Sequence, residues 1–126
     1  SPLLLNNLDL LARPVSYVDF TVQSNDGKVH TAELYFGAST NIAVNTPAQE
    51  VKAEQYHAGS LLLQKAGSVA QPVLAKKGDD LRIDWGYIYV AVPESDAAKQ
   101  YITTAKAAIP SFLYFSASSK IAIFCV

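Results

Sequence analysis

The sequence predicts a mostly β fold, an antiparallel β-sandwich of about eight strands with one peripheral helix. Three observations carry this expectation. Short alternating or β-branched stretches recur along the chain, Gly, Asn, Asp and Pro punctuate them, and the stretch after Pro93 places apolar residues at helical spacing. A chain of 126 residues is long enough to bury a core as a single domain, 1–126, and too short for a binding domain beside a catalytic one. No period of about 20 to 50 residues marks a solenoid or propeller.

The chain is organised around the stretch from Gly78 to Pro93. One alternating set is Leu81, Ile83, Trp85, Tyr87, Tyr89 and Ala91. The other is Arg82, Asp84, Gly86, Ile88, Val90 and Val92. The first set is apolar throughout and is expected to face the core. The second is polar up to Gly86 and apolar after it, so the strand is expected to enter from a solvated edge, become buried on both sides and run near the middle of a sheet. Gly86 marks the change, either as a bulge or as a close approach of another backbone.

Taken in order, Leu3 to Leu11 reads as a turn of helix or an extended lead-in, which Arg13-Pro14 breaks. Val15 to Gln23 alternates with period two. Asn25-Asp26-Gly27-Lys28 is a hairpin signal, and Val29 to Phe36 is the return strand with Ala32, Leu34 and Phe36 inward. Ile42 to Val44 reads as a short strand closed by Pro47, and Val51 to Tyr56 as a half-solvated strand near an edge. Ala58-Gly59 turns the chain into the apolar run Ser60 to Lys65, and Ala66-Gly67-Ser68 is expected to turn it again. Val69 to Ala75 is read as extended, with Pro72 confining it to an edge or bulge. Ser95 or Asp96 is expected to cap a helix through Ala108 that Pro110 ends, because Ala98, Tyr101, Ile102, Ala105 and Ile109 fall at helical spacing. Phe112 to Phe115 and Ile121 to Val126 complete the strands.

Composition narrows the function classes. Half the residues are hydrophobic, 17% are charged and the net charge is −1, which argues against disorder and offers nucleic acid no basic face. The longest apolar run, Ile121 to Val126, falls far short of the roughly 20 residues that span a bilayer. The lack of methionine implies processing or trimming ahead of Ser1, and Ser1 to Leu5 has no basic start of a signal peptide. Cys125, the single cysteine, is expected as a buried free thiol in preference to an intermolecular disulfide.

The residues that suggest chemistry each have a structural reading. Asp79 and Asp80 lie in a turn, where aspartates bond their own backbone. Asp84 sits between Ile83 and Trp85 and is expected in an ion pair with Arg82 or Arg13. His30 and His57 fall on different strands without a further ligand at helix or loop spacing, so neither a metal nor another cofactor is expected. No nucleophile or phosphate-cradling motif is present. Trp85, Tyr87 and Tyr89 share one face and would form a sugar-stacking platform if exposed. Their neighbours Leu81, Ile83 and Ala91 favour a core face instead. A small self-sufficient hydrolase would need Asp84 with a second polar partner in a pocket.

The run Leu81-Arg82-Ile83-Asp84-Trp85-Gly86-Tyr87-Ile88-Tyr89-Val90-Ala91-Val92-Pro93 resembles a segment of the non-catalytic amino-terminal region of the glutaminase A family of fungi and Bacteroides-type bacteria. Upstream, Arg13-Pro14-Val15-Ser16-Tyr17-Val18-Asp19-Phe20, Ser24-Asn25-Asp26-Gly27-Lys28 and Glu33-Leu34-Tyr35-Phe36 are similar to the opening strands of that region, in the same order. The resemblance covers most of the chain up to about Pro93, and residues 111–126 fall beyond it. It implies a larger exported enzyme, extracellular or periplasmic, whose downstream helical region hydrolyses L-glutamine to L-glutamate and ammonia. The domain itself would be a non-catalytic accessory part that packs on that region, and none of the matched residues is catalytic. An apolar patch left open by separation from that region would promote self-association. The alternative is a carbohydrate-binding module using Trp85, Tyr87 and Tyr89.

Overall fold

The residues fall into two compact units, Ser1–His30 and Thr31–Val126. The structure, a computed structural model, describes residues 5–79, 81–96, 98–108 and 121–125, the last five by their backbone alone. The described residues are mostly strand with few helices.

In the first unit, helix α1 (Leu8–Leu11) is a single turn. Asn7 caps it, its side chain accepting from the Leu10 amide at 3.0 Å, which satisfies one of the donors that a helix start leaves open. The turn chemistry expected at Asn25 to Lys28 is present. The Asp26 carboxylate accepts from the Ser24 hydroxyl at 2.9 Å and the Lys28 amide at 3.0 Å, and it pairs with His30 Nε2 at 2.8 Å. These contacts, His30 first, hold the Asp26 carboxyl below its ordinary pKa. The flanking strands are not formed, since no residue from 12 to 33 is in a strand. A turn is specified locally, whereas a two-stranded ribbon needs a surface to bury. Val18, Phe20 and Val22 remain exposed.

The second unit carries the sheets. Its elements are β1 (Leu34–Ala38), a 3₁₀ helix (Thr40–Ala43), β2 (Val51–Ala58), β3 (Leu61–Ser68), β4 (Ile88–Pro93), a 3₁₀ turn (Glu94–Asp96), β5 (Lys99–Ile102), a helical turn at 105–108 and β6 (Ile121–Cys125). Strands β2, β3 and β4 form an antiparallel sheet in that order. Strands β1, β6 and β5 form a second sheet in which both pairings are parallel. The described residues therefore hold six strands, and only one of the two sheets has the expected antiparallel ladder.

The β2–β3 hairpin follows the sequence closely. Gly59 and Ser60 are its two loop residues, Ala58 stands opposite Leu61, and β2 is an edge strand as expected. Strand β3 runs longer than its apolar segment, because Ala66, Gly67 and Ser68 continue the ladder instead of turning. The stretch after Gly86 is an edge strand, not a central one, and it begins only at Ile88.

Only one of its two faces is buried, where burial on both sides was expected. Ile88, Val90 and Val92 share the inner face with Ala66, Gln64 and Leu62, their partners in register on β3. Val90 and Val92 are buried and pack against Phe36, Ala38 and Ala98. Full burial of such a side chain contributes on the order of 1.5 to 3 kcal/mol. From β5, Gln100 Nε2 donates to the carbonyls of Leu62 at 3.3 Å and Val90 at 3.4 Å. The set that includes Leu81, Ile83, Tyr87 and Tyr89 faces outward and is exposed. Small β-branched side chains fit the narrow space between layers, while tyrosine keeps its hydroxyl hydrated at the surface.

Three other expectations change. The helix expected from Ser95 or Asp96 is replaced by a 3₁₀ turn and β5, and helical structure begins only at 105, where the amides of Ala107 and Ala108 donate to the Thr104 carbonyl. Ile42-Ala43-Val44 contributes to a 3₁₀ helix that delivers Val44, 2% exposed, into the interior. Val69 to Ala75 is a bent loop with Gln71 at φ +43 and Leu74 at φ +52. The strand at Phe112 to Phe115, the helix stop at Ile109-Pro110 and the turn aspartate Asp80 lie outside the described residues, as does the thiol of Cys125.

Gly67 is fixed by close approach. A Cβ there would stand 2.6 Å from the Gly86 carbonyl oxygen and 2.7 Å from Tyr87 Cδ1. Gly67→Ala is therefore expected to destabilise the fold by about 1 to 3 kcal/mol, read as a lower urea midpoint. An unchanged midpoint would remove the contact from the account.

Candidate functional site

Two clusters of polar and aromatic side chains stand out in the second unit. The first lies where the loops before β2 and β4 meet the end of β3. Asp84 is 4% exposed, and its Oδ2 accepts from Lys76 Nζ at 2.7 Å and Gln49 Nε2 at 2.9 Å. Gln49 in turn closes its own loop, its Oε1 accepting from the amides of Asn45 at 2.7 Å and Thr46 at 3.0 Å. The Asn45 side chain accepts from the Arg82 amide at 3.1 Å. Lysine 76 thus takes the place expected for Arg82 or Arg13 as the ion-pair partner.

Ser68 and Gln71 continue this network. The Ser68 hydroxyl donates to the Asp84 carbonyl and accepts from the Gln71 amide at 3.2 Å. Gln71 Nε2 donates to the Gly86 carbonyl at 3.1 Å and the Ser68 carbonyl at 2.8 Å, while the Gly86 amide donates to Gln71 Oε1 at 2.7 Å. The Gln71 side chain therefore pairs with both backbone groups of Gly86, as a neighbouring strand would. Gly86 itself turns at φ +84, a conformation natural to glycine.

The chemistry available to Asp84 follows from its partners. Hydrogen bonds from Lys76 first, then from Gln49, outweigh desolvation and hold the carboxyl below its ordinary value. Such a group stays ionised near neutral pH and has no proton to give as a general acid.

The second cluster is on the outer face of the antiparallel sheet. Glu54, Lys65 and Tyr89 form one cross-strand row, and Tyr56, Leu63 and Ala91 the next. Lys65 Nζ sits 3.4 Å from Glu54 and 3.9 Å from the centroid of the Tyr87 ring. Tyr87 and Tyr89 meet edge to face, centroids 6.4 Å apart. Partial burial works against the Lys65 charge, but Glu54 and the adjacent Tyr89 and Tyr87 hold its pKa above the ordinary lysine value. An open depression of about 320 Å³ is lined by Glu54, Gln55, Tyr56 and Lys65. Of the three aromatic residues singled out in the sequence, Tyr87 and Tyr89 come together here, 46% and 49% exposed. Trp85 lies in the bend before β4 and is half-buried.

The family described as a domain of unknown function, DUF5127, matches residues 1–118. The chain belongs to this family. No curated protein and no solved structure matches it.

Elsewhere in this DUF5127 chain the histidines are engaged singly, His30 with Asp26 and His57 with Glu94. Among the described residues no group of three or more His, Cys, Asp or Glu is placed to hold a metal ion, and no helix is long and apolar enough to cross a membrane. Sequence reasoning missed Lys76, Gln49 and Gln71. Asp84 is separated from Lys76 by 8 positions and from Gln49 by 35, and no local pattern links them.

The Asp84 contacts have a pH consequence. The folded pKa lies below the ordinary 3.8, so the stabilisation is complete above that value and is lost as pH falls through the folded one. Asp84→Asn should lower the urea midpoint at pH 7 and flatten its decline in acid. Equal acid sensitivity in both proteins would assign that decline to other carboxylates.

Proposed function

We propose that the chain is a non-catalytic accessory domain of a larger, exported glutaminase A-like hydrolase. It packs on a downstream catalytic region that converts L-glutamine to L-glutamate and ammonia. The observation that carries this reading is the commitment of Asp84. Within the stretch that bears the glutaminase A resemblance, the buried carboxylate is held ionised by Lys76 and Gln49 and joins two loops. That is the work of a fold-holding residue.

A completed sandwich of about eight strands belongs to the same reading. Its support is the way Phe36 and Ala38 of one sheet pack on Val90 and Val92 of the other. The domain serves the catalytic region by supporting its fold or shaping its entrance.

Ammonia release from L-glutamine, measured for the 126-residue chain beside the full-length product of its gene, tests the proposal. Silence from the chain and activity from the longer protein are the expected pair. Activity in the chain alone would overturn the accessory role, and silence in both would withdraw the substrate. Separated from its partner region, the domain should also self-associate through exposed apolar surface. Sedimentation velocity should then show a coefficient that rises with concentration, and a monomer at all concentrations would count against that surface.

A further inference from the structure

We infer that the free edge of β2 is a self-recognition site, which pairs antiparallel with β2 of a second copy of the chain. The inference rests on backbone direction and charge and is independent of the glutaminase reading. The Val69 amide donates to the Glu50 carbonyl at 2.9 Å, and these two residues continue the register that sets Val51 opposite Ser68. Hydrogen-bonded pairs alternate along an antiparallel ladder, so the amides and carbonyls of Lys52, Glu54, Tyr56 and Ala58 are turned toward β3. Those of Val51, Ala53, Gln55 and His57 are turned away from it, along a side where β2 has no neighbouring strand among the described residues. Ala53 and Glu54 are half-buried and the rest of β2 is exposed. No proline or bulge interrupts the strand, since each residue from Val51 to Ala58 has one partner in β3. The opposite edge, β4, is shorter and ends in Pro93, which has no amide to offer.

Charge selects the partner and the register. On the outer face of β2, Lys52 Nζ lies 3.6 Å from Glu54 Oε2, and Lys65 holds the other Glu54 oxygen at 3.4 Å. A positive residue followed at this spacing by a negative one is its own complement when the strand is reversed. With Ala53 on a twofold axis, Lys52 of each copy stands opposite Glu54 of the other, Val51 opposite Gln55 and Glu50 opposite Tyr56. The outward amides and carbonyls then meet in hydrogen-bonding pairs. Moving the axis to Lys52 or Glu54 sets like charges opposite each other, which is destabilising. Moving it to Gln55 leaves Lys52 opposite Ala58 and Glu54 opposite Tyr56, without an ion pair. An edge lysine ordinarily discourages strand addition, but here Glu54 of the incoming copy meets it. An extended segment of unrelated sequence would bring the backbone groups without this match. One ladder falls below the roughly 1,200 Å² at which stable interfaces begin, so the dimer is weak and concentration-dependent.

Charge-reversed variants test the pairing by sedimentation velocity, in which the unaltered chain should show an equilibrium between monomer and dimer. Lys52→Glu alone and Glu54→Lys alone each make the row single-signed, and each should raise the concentration needed for dimerisation at least tenfold. An equimolar mixture of the two should dimerise again, because rows of opposite sign then face each other. Urea midpoints of the variants separate lost pairing from lost fold. In a Cys125→Ser background, which removes the single natural cysteine, Ala53→Cys should give a disulfide-linked dimer under mild oxidation. The Cα atoms of such a pair lie about 5.5 Å apart, within disulfide range. Gln55→Cys should stay monomeric, since it faces Val51. A monomer at all concentrations would overturn the inference. So would self-association that persists in both charge variants, which would assign it to exposed apolar surface. Cross-linking of Gln55→Cys in place of Ala53→Cys would overturn the register.

Discussion

The second unit depends on how the chain between β3 and β4 is held to the sheet. The described residues of the 69–87 connection have no strand of their own, yet the connection must deliver Ile88 into register with Ala66. Gln71 solves this with one side chain, whose amide both donates to and accepts from Gly86. The arrangement satisfies backbone groups that the end of the ladder would otherwise leave open. It also accounts for the left-handed backbone of Gln71, because strain at one residue is tolerated where several hydrogen bonds fix its position.

Asp84 extends the same constraint to a second loop. Through Gln49 it ties residues 45–49, and through Lys76 it ties the far side of the 69–87 connection. A carboxylate this buried is costly unless it is paired and hydrogen-bonded. Removing either donor would leave charge without compensation, so the loops that carry Gln49 and Lys76 are held by electrostatic necessity more than by apolar packing. This explains how a unit with few fully buried hydrophobic side chains among its described residues, among them Val44, Ala66, Val90 and Val92, keeps a defined connection.

The sequence made some of this legible because the signals were local. The β2–β3 hairpin, the cap at Asn7 and the turn chemistry of Asp26 all arise from residues a few positions apart. The alternation of the stretch around Gly86 was also legible, as was the burial of Val90 and Val92, but the exposure of the opposite face was not. Alternation divides a strand into two faces without saying whether one or both are buried, and the bulk of Trp85, Tyr87 and Tyr89 suggested a second buried face. The 95–108 region failed for a different reason. Tyr101 and Ile102 fit a helical stripe, yet they stand opposite Phe124 and Cys125 in a parallel pairing. Such a pairing joins distant segments and leaves no trace in a local window. The Asp84 partners were hidden in the same way, since a lysine in a loop and a glutamine in another carry no mark of their common target.

The position of β3 decides what the outer face can do. Among the described residues it is the only strand of its sheet paired on both sides, and Gln64, Ala66 and Ser68 on its inner face are buried. Lys65 therefore projects from a backbone paired on both sides and is held again at its tip by Glu54 and Tyr87. The pair of Tyr87 and Tyr89 is tied to the same frame, because Tyr87 follows directly on Gly86, the residue that Gln71 holds, and its ring lies over Gly67. The buried polar network and the exposed aromatic face are thus mechanically joined at Gly86. The constraint that closes the fold also fixes the spacing of the groups presented to solvent.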